Sequence, residues 1–104
     1  MPRRFQVKLT QTAKADIQDI WTFIASDDAG EAKEFMRQLK QRVRTLKLLP
    51  ERCPPVPETD LLDTVYRHLI FGKYRIIFRI SGKTVYVARV LHGARMLDRS
   101  TLEW

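Results

Sequence analysis

The stretch Tyr74-Arg75-Ile76-Ile77-Phe78-Arg79-Ile80-Ser81-Gly82-Lys83-Thr84-Val85-Tyr86-Val87-Ala88-Arg89-Val90-Leu91 decides the fold. In its first half Tyr74, Ile76, Phe78 and Ile80 fall on one side, while Arg75, Ile77 and Arg79 fall on the other. A period of two over that length is a β-strand with one face turned to a core. Ser81-Gly82 supplies a tight turn, and Thr84–Leu91 runs back as a second strand. Upstream, Val65–Phe71 carries the same period, so Val65–Leu91 reads as a three-stranded antiparallel meander. One face needs an apolar cover, and the opposite face carries arginines.

The cover lies earlier in the chain. Ala13, Ile17, Ile20, Trp21 and Ile24 recur at helical spacing, with Thr10 or Thr12 as N-cap and with Asp16 and Asp19 placed toward the N-terminal end of the helix dipole. The pattern breaks over Asp27–Gly30. Asp28 followed by Glu31 has the form of a capping box and opens a second helix, whose buried stripe is Ala32, Phe35, Met36, Leu39, Val43 and Leu46. Lys33, Arg37, Lys40, Arg42, Arg44 and Lys47 occupy much of its remaining surface, and Pro50 ends it. A connection of about four residues makes the pair an antiparallel αα-hairpin. Before it, Phe5, Val7 and Leu9 alternate with polar residues as a short strand.

Residues 50–63 contain Pro50, Pro54, Pro55 and Pro57 with Glu51, Glu58, Asp60 and Asp63, and read as a stiff irregular loop. Beyond the last strand, His92–Trp104 is a short tail, with a turn of helix held down by Leu97, Leu102 or Trp104. The order β-αα-βββ is an α+β fold, with the helix hairpin on an antiparallel sheet, and residues 1–104 form one domain.

Charge narrows the function. The chain has 19 Lys and Arg against 12 Asp and Glu, a formal net charge of +7. Such a balance favours encounter with a polyanion or an acidic protein, beyond its contribution to solubility. Between Thr64 and Leu97 there is no acidic residue, yet the stretch holds Arg67, Lys73, Arg75, Arg79, Lys83, Arg89 and Arg95 with His68 and His92. These are read as one open basic patch on the sheet and its exits. Cys53 is the only cysteine and neither histidine stands at ligand spacing from it, so no metal or cofactor is expected. No signal-peptide pattern occupies Met1–Thr10 and no apolar run approaches membrane length, so a cytoplasmic, membrane-free setting is expected.

Several segments together resemble the RelE/ParE superfamily of bacterial toxins. They are Leu69-Ile70-Phe71-Gly72-Lys73-Tyr74-Arg75-Ile76-Ile77-Phe78 and Val90-Leu91-His92-Gly93-Ala94-Arg95. With them go Leu9-Thr10…Ala13…Asp16-Ile17…Ile20-Trp21…Ile24 and the helix-closing Leu48-Leu49-Pro50. The resemblance implies the toxin of a type II toxin–antitoxin pair, neutralised by a cognate, ParD-like antitoxin. It leaves two targets. ParE-like members inhibit DNA gyrase without a known hydrolytic centre; RelE-like members cut messenger RNA on the ribosome. For cleavage, Arg75 and Arg95 match the family's phosphate-stabilising arginines, Arg67 falls near its lysine, and His92 is the proton carrier. RelE-like tails add an acid–base side chain, often Tyr, whereas Met96–Trp104 offers only Asp98 and Glu103. His92-Gly93-Ala94-Arg95-Met96-Leu97 is closer to the ParE-like ending, with His92 donating to a backbone carbonyl and Arg95 tying the tail to the sheet. Tyr66, Tyr74 and Tyr86 then serve packing. On the ParE-like reading Arg67, Lys73, Arg75, Arg79, Arg89, His92 and Arg95 contact target or antitoxin. A basic nucleic-acid-binding module without toxicity is the remaining alternative.

Overall fold

The computed structural model describes residues 4–98 and 100–102. The elements follow as β1 (Gln6–Leu9), α1 (Gln11–Asp27), α2 (Ala29–Thr45), β2 (Arg67–Phe71), β3 (Tyr74–Ser81) and β4 (Thr84–His92), with short 3₁₀ turns at Pro50–Arg52, Thr59–Leu61 and Ser100–Leu102. This is the β-αα-βββ order expected. The expected seat of Trp104 in the tail lies outside the described residues, but Leu97 and Leu102 are both buried there.

The sheet order is β1-β4-β3-β2. The meander is antiparallel as its alternation predicts, but β1 adds to β4 in parallel, so the sheet as a whole is mixed. A parallel partner requires a crossover connection, and α1, α2 and β2–β3 together supply it. The two hairpin loops are Gly72-Lys73 and Gly82-Lys83, each with a positive φ at glycine (58° and 61°) and at no lysine. A positive φ at the first loop position alone is the type II′ arrangement, so the second turn begins one residue later than Ser81-Gly82.

Thr10 couples strand to helix. Its amide donates to Val87 O, its hydroxyl donates to Ala88 O, and the same hydroxyl accepts from Ala13 N as the N-cap of α1. The β3–β4 register slips between Ile77 and Phe78, leaving Ala88 as the extra residue of a β-bulge. Where β1 has ended, the Val90 amide finds Asp16 Oδ2 at 3.0 Å. Asp16 also takes the Arg89 guanidinium in two bonds of 2.7 Å. Asp16 therefore anchors α1 to β4; it is beyond the first turn and does not serve the helix dipole as its sequence position implied.

A single residue, Asp28, joins the helices, shorter than the four-residue connection expected. Its amide donates back to Ile24 O to close α1, and its carboxylate accepts from Gly30 N and Glu31 N to open α2. A Cβ at Gly30 would approach that carboxylate oxygen to 3.2 Å, so the small residue suits the cap. At the far end α2 stops at Thr45, before Pro50: the Leu46 amide folds back on Val43 and Arg44, and Leu49 turns into the left-handed region (φ 52°) ahead of the proline.

Two apolar clusters sandwich the sheet. The hairpin side holds Ala13, Ile17, Phe35, Leu39, Leu46, Ile76 and Phe78, stripe residues foreseen from both helices and β3, together with Val85, Val87 and Val90 of β4. The other side is not an open arginine face. Val56 and Leu62 from the prolyl loop and Leu97 and Leu102 from the tail close over Tyr66, Ile77, Ala88 and Leu91.

Two stability predictions follow from the joints. Replacing Asp28 with Ala removes the cap of α2 and lowers stability by about 1 kcal/mol in urea unfolding. Asp16→Ala strands a mostly buried guanidinium and the Val90 amide, and costs about 3–5 kcal/mol.

Candidate partner-binding surfaces

The arginines of the meander are distributed, not pooled. Arg75 stands mid-sheet, only 4% exposed, and reaches Glu58 of the prolyl loop, 6% exposed, through two bonds of 3.0 and 2.8 Å. Its second terminal nitrogen also donates to Arg95 O at 2.6 Å, and Glu58 accepts from Leu97 N at 3.0 Å. One carboxylate thus binds loop, central strand and tail. The Arg75 guanidinium, aided by the Leu97 amide, holds the Glu58 carboxyl down at about 2 against the burial that would raise it. His68 Nδ1 lies 3.5 Å from Arg75, and burial, then the Arg75 charge, lowers the histidine below its ordinary value.

The other arginines are engaged as well. Arg89 pairs with Asp16 and donates to Thr101 O. Arg67 donates to the carbonyls of Cys53 and Glu51, and Arg79 lies 4.7 Å over the Tyr86 ring. Lys73 and Arg95 remain exposed, as does His92. The single open patch is therefore corrected: Arg75, Arg79 and Arg89 do share one face of the sheet, but the prolyl loop and tail close over that face, and Glu58, Tyr86 and Asp16 engage the three side chains. His92 Nδ1 accepts from Ala94 N, the reverse of the donation expected, and its ring meets Tyr74 edge-on. The tail is tied to the sheet by the Arg75 side chain on the Arg95 carbonyl, not by the Arg95 side chain. Tyr66 is buried and Tyr74 packs edge-on to Phe35, as packing residues should.

Open surface lies elsewhere. Beside β1 runs a groove of about 470 Å³, floored by Val7, Leu9, Ile17, Leu39 and Val43 and rimmed by Lys14, Lys40, Arg44 and Lys47. Gln6 N donates to Lys83 O and Thr10 N to Val87 O, so alternate residues of β1 face β4. Val7 and Leu9 turn their backbone groups to the opposite, unpaired edge, where Phe5 N already reaches Lys47 O. A second opening of about 450 Å³ lies between prolyl loop and tail, lined by Pro57, Asp60, Leu61, Arg95 and Met96, with Leu61 and Met96 exposed. Sequence reasoning missed the pairing of Glu58 with Arg75 and of Asp16 with Arg89. A mid-strand arginine set between Tyr74 and Ile76 was the available sign that a carboxylate partner was needed. Among the described residues, no cluster of His, Cys, Asp or Glu could hold a metal, and no helix is long and apolar enough to cross a membrane.

Because the Glu58 carboxyl is held below its unfolded value of about 4.3, its contribution is present above that pH and lost as pH falls toward about 2. Wild type is expected to exceed Glu58→Gln in stability by on the order of 3 kcal/mol at neutral pH. That gap should shrink steadily between about pH 4.5 and pH 2 in urea titrations; a constant gap would contradict the pairing.

Comparison with known proteins fits this architecture. Residues 7–97 match the family model described as the ParE toxin of the type II toxin–antitoxin system, parDE. Toxin ParE1 of Caulobacter vibrioides is 29% identical over 86 residues, spanning 82% of this chain and 85% of that protein. A solved chain of the chromosomal ParDE toxin–antitoxin system from P. aeruginosa superposes with a TM-score of 0.69 at 19% identity. The alignment covers 86% of this chain and 96% of that one, and shows the shared fold. With the match running from β1 through the tail's Leu97, the chain belongs to the ParE toxin family of type II toxin–antitoxin systems.

Proposed function

We propose that this ParE-family toxin acts in the bacterial cytoplasm by binding DNA gyrase, without turnover, and is neutralised by a ParD-like antitoxin. The observation that carries the non-hydrolytic reading is the Arg75–Glu58 pair. A guanidinium that is buried, doubly bonded to a carboxylate and also bonded to a backbone carbonyl is not free to stabilise a pentacoordinate phosphate. The RelE-like alternative, with Arg67, Arg75, His92 and Arg95 acting on ribosome-bound messenger RNA, requires that pair to open.

The β1 groove suits an antitoxin segment. An extended chain would add to the free edge at Val7 and Leu9, place apolar side chains on Ile17, Leu39 and Val43, and set acidic groups against Lys14, Lys40 and Lys47. The target contact is assigned to the opposite end, where the Glu58 tie presents Arg95, Met96 and Leu61, with Lys73 and His92 at the neighbouring strand ends. Arg67, Arg79 and Arg89 support these surfaces from within through their own bonds.

Expression is expected to arrest growth, with gyrase-trapped DNA breaks accumulating while messages stay intact. Codon-phased message cleavage that disappears in Arg95→Ala would replace gyrase by the ribosome as target. For the groove, Lys14→Glu/Lys47→Glu should slow association with the antitoxin tenfold or more at low salt, with the difference narrowing as salt rises. Stopped-flow mixing of the two purified proteins measures it.

A further inference from the structure

The outer surface of the helix hairpin carries a cleft whose chemistry differs from that of the β1 groove. Its volume is about 420 Å³, and Trp21, Lys33, Met36, Arg37, Lys40, Gln41 and Arg44 line it. Lys33, Arg37, Lys40 and Arg44 follow one another at four, three and four residues, which on a helix is one cation per turn along a single line. Arg37 is paired with Glu34 one turn earlier. Among the described residues, Lys33, Lys40 and Arg44 meet no carboxylate.

Trp21 is 38% exposed at this line of charge, on a helix whose neighbouring apolar residues Ile17, Ile20 and Ile24 are buried or half-buried. The helical period predicts it as a core residue, yet more than a third of its surface stays exposed, and it lines the cationic cleft. The β1 groove offers an apolar peptide five aliphatic side chains. This cleft offers a broad aromatic ring, one thioether, a carboxamide and a row of cations. An indole lining a cleft beside evenly spaced positive charge complements a stacked base and its phosphates.

We propose that the Trp21–α2 cleft binds single-stranded nucleic acid. Phosphates follow Lys33, Lys40 and Arg44, one base stacks on Trp21, and Gln41 is placed to meet a base edge. The inference does not rest on the gyrase or antitoxin readings. It does carry a consequence for them, because Met36, Lys40 and Arg44 line both this cleft and the β1 groove, so a strand and an antitoxin segment would compete.

The test uses the full chain with Trp104→Phe, which leaves Trp21 as the sole tryptophan. The probe is an oligothymidylate of about 12 nucleotides, within the ~4–16 span of single-strand sites. Trp21 emission should be quenched saturably. Raising salt should weaken binding, and Lys33→Gln/Arg44→Gln, two exposed positions, should flatten the log–log salt slope by about 1.4. Trp21→Ala, followed by anisotropy of a labelled strand, should lose about 5- to 150-fold in affinity, with circular dichroism confirming the fold. Absent quenching would overturn the proposal, as would a salt slope untouched by the double variant. A polyglutamate peptide that binds as tightly and quenches as fully would assign the cleft to an acidic polypeptide instead. Since every readout is on purified protein and a strand, failure here leaves the growth-arrest and antitoxin outcomes to be decided by their own measurements.

Discussion

Burying Arg75 beneath the sheet's second face creates a demand that few residues can meet. Taking a guanidinium and a carboxylate out of water costs several kcal/mol for each ion, and the return depends on geometry. Here both terminal nitrogens of Arg75 are bonded to Glu58, one also to the Arg95 carbonyl, and Glu58 collects the Leu97 amide; only Arg75 Nε lacks a partner. Such a pair adds little net stability over an apolar pair of the same volume, but neither half can be left alone. Its consequence is placement. The prolyl loop must come to β3, the tail must turn back at Arg95, and Leu97 is delivered into the second cluster with Val56 and Ile77.

That demand explains why the sheet has apolar clusters on both faces and why the meander's charge does not sit on its surface. Asp16 performs a parallel task at the other end: it takes Arg89 and the Val90 amide just where β1 has left β4 without a neighbour. The bulge at Ala88 matters to both. Without the extra residue Val90 would share a face with Ala88 against the tail; with it, Val90 packs under the hairpin while Arg89 and Leu91 face the other way.

Most of the fold was legible because its signals are local. Alternation in Tyr74–Ile80, helical stripes through Ile17 and Leu39, and the caps at Thr10 and Asp28 each depend on residues within a few positions of one another. What was not legible is non-local. Glu58 stands 17 residues before Arg75 in a loop with three other acids, and spacing does not say which of the four reaches the sheet. The parallel seat of β1 on β4 joins residues 78 apart, since Gln6 pairs with Thr84. The candidate site suffered most. Seven cations without an intervening acid look like one patch along the chain, yet the pleat divides them between faces and edges, and Arg75 and Arg89 draw acids from outside the stretch.

Exposed positive charge gathers instead where helical geometry concentrates it. A period of 3.6 brings Lys33, Arg37, Lys40 and Arg44 into register on α2, whereas Arg75, Arg79 and Arg89, which share one face of the sheet, are engaged there by Glu58, Tyr86 and Asp16. Two openings flank that line. On one side an unpaired strand edge and an aliphatic floor suit an extended apolar segment; on the other an open indole and a carboxamide suit something flat and polar. Because Lys40 and Arg44 border both, occupation of either opening changes the electrostatic field that the other presents. At separations within a single helical turn, well inside the Debye length of about 8 Å at physiological salt, that coupling is not screened away. An acidic segment seated beside β1 against Lys40 would therefore weaken attraction of any anion to the Trp21 side. The helix hairpin joins the two openings through shared charge, and no movement of the backbone is required.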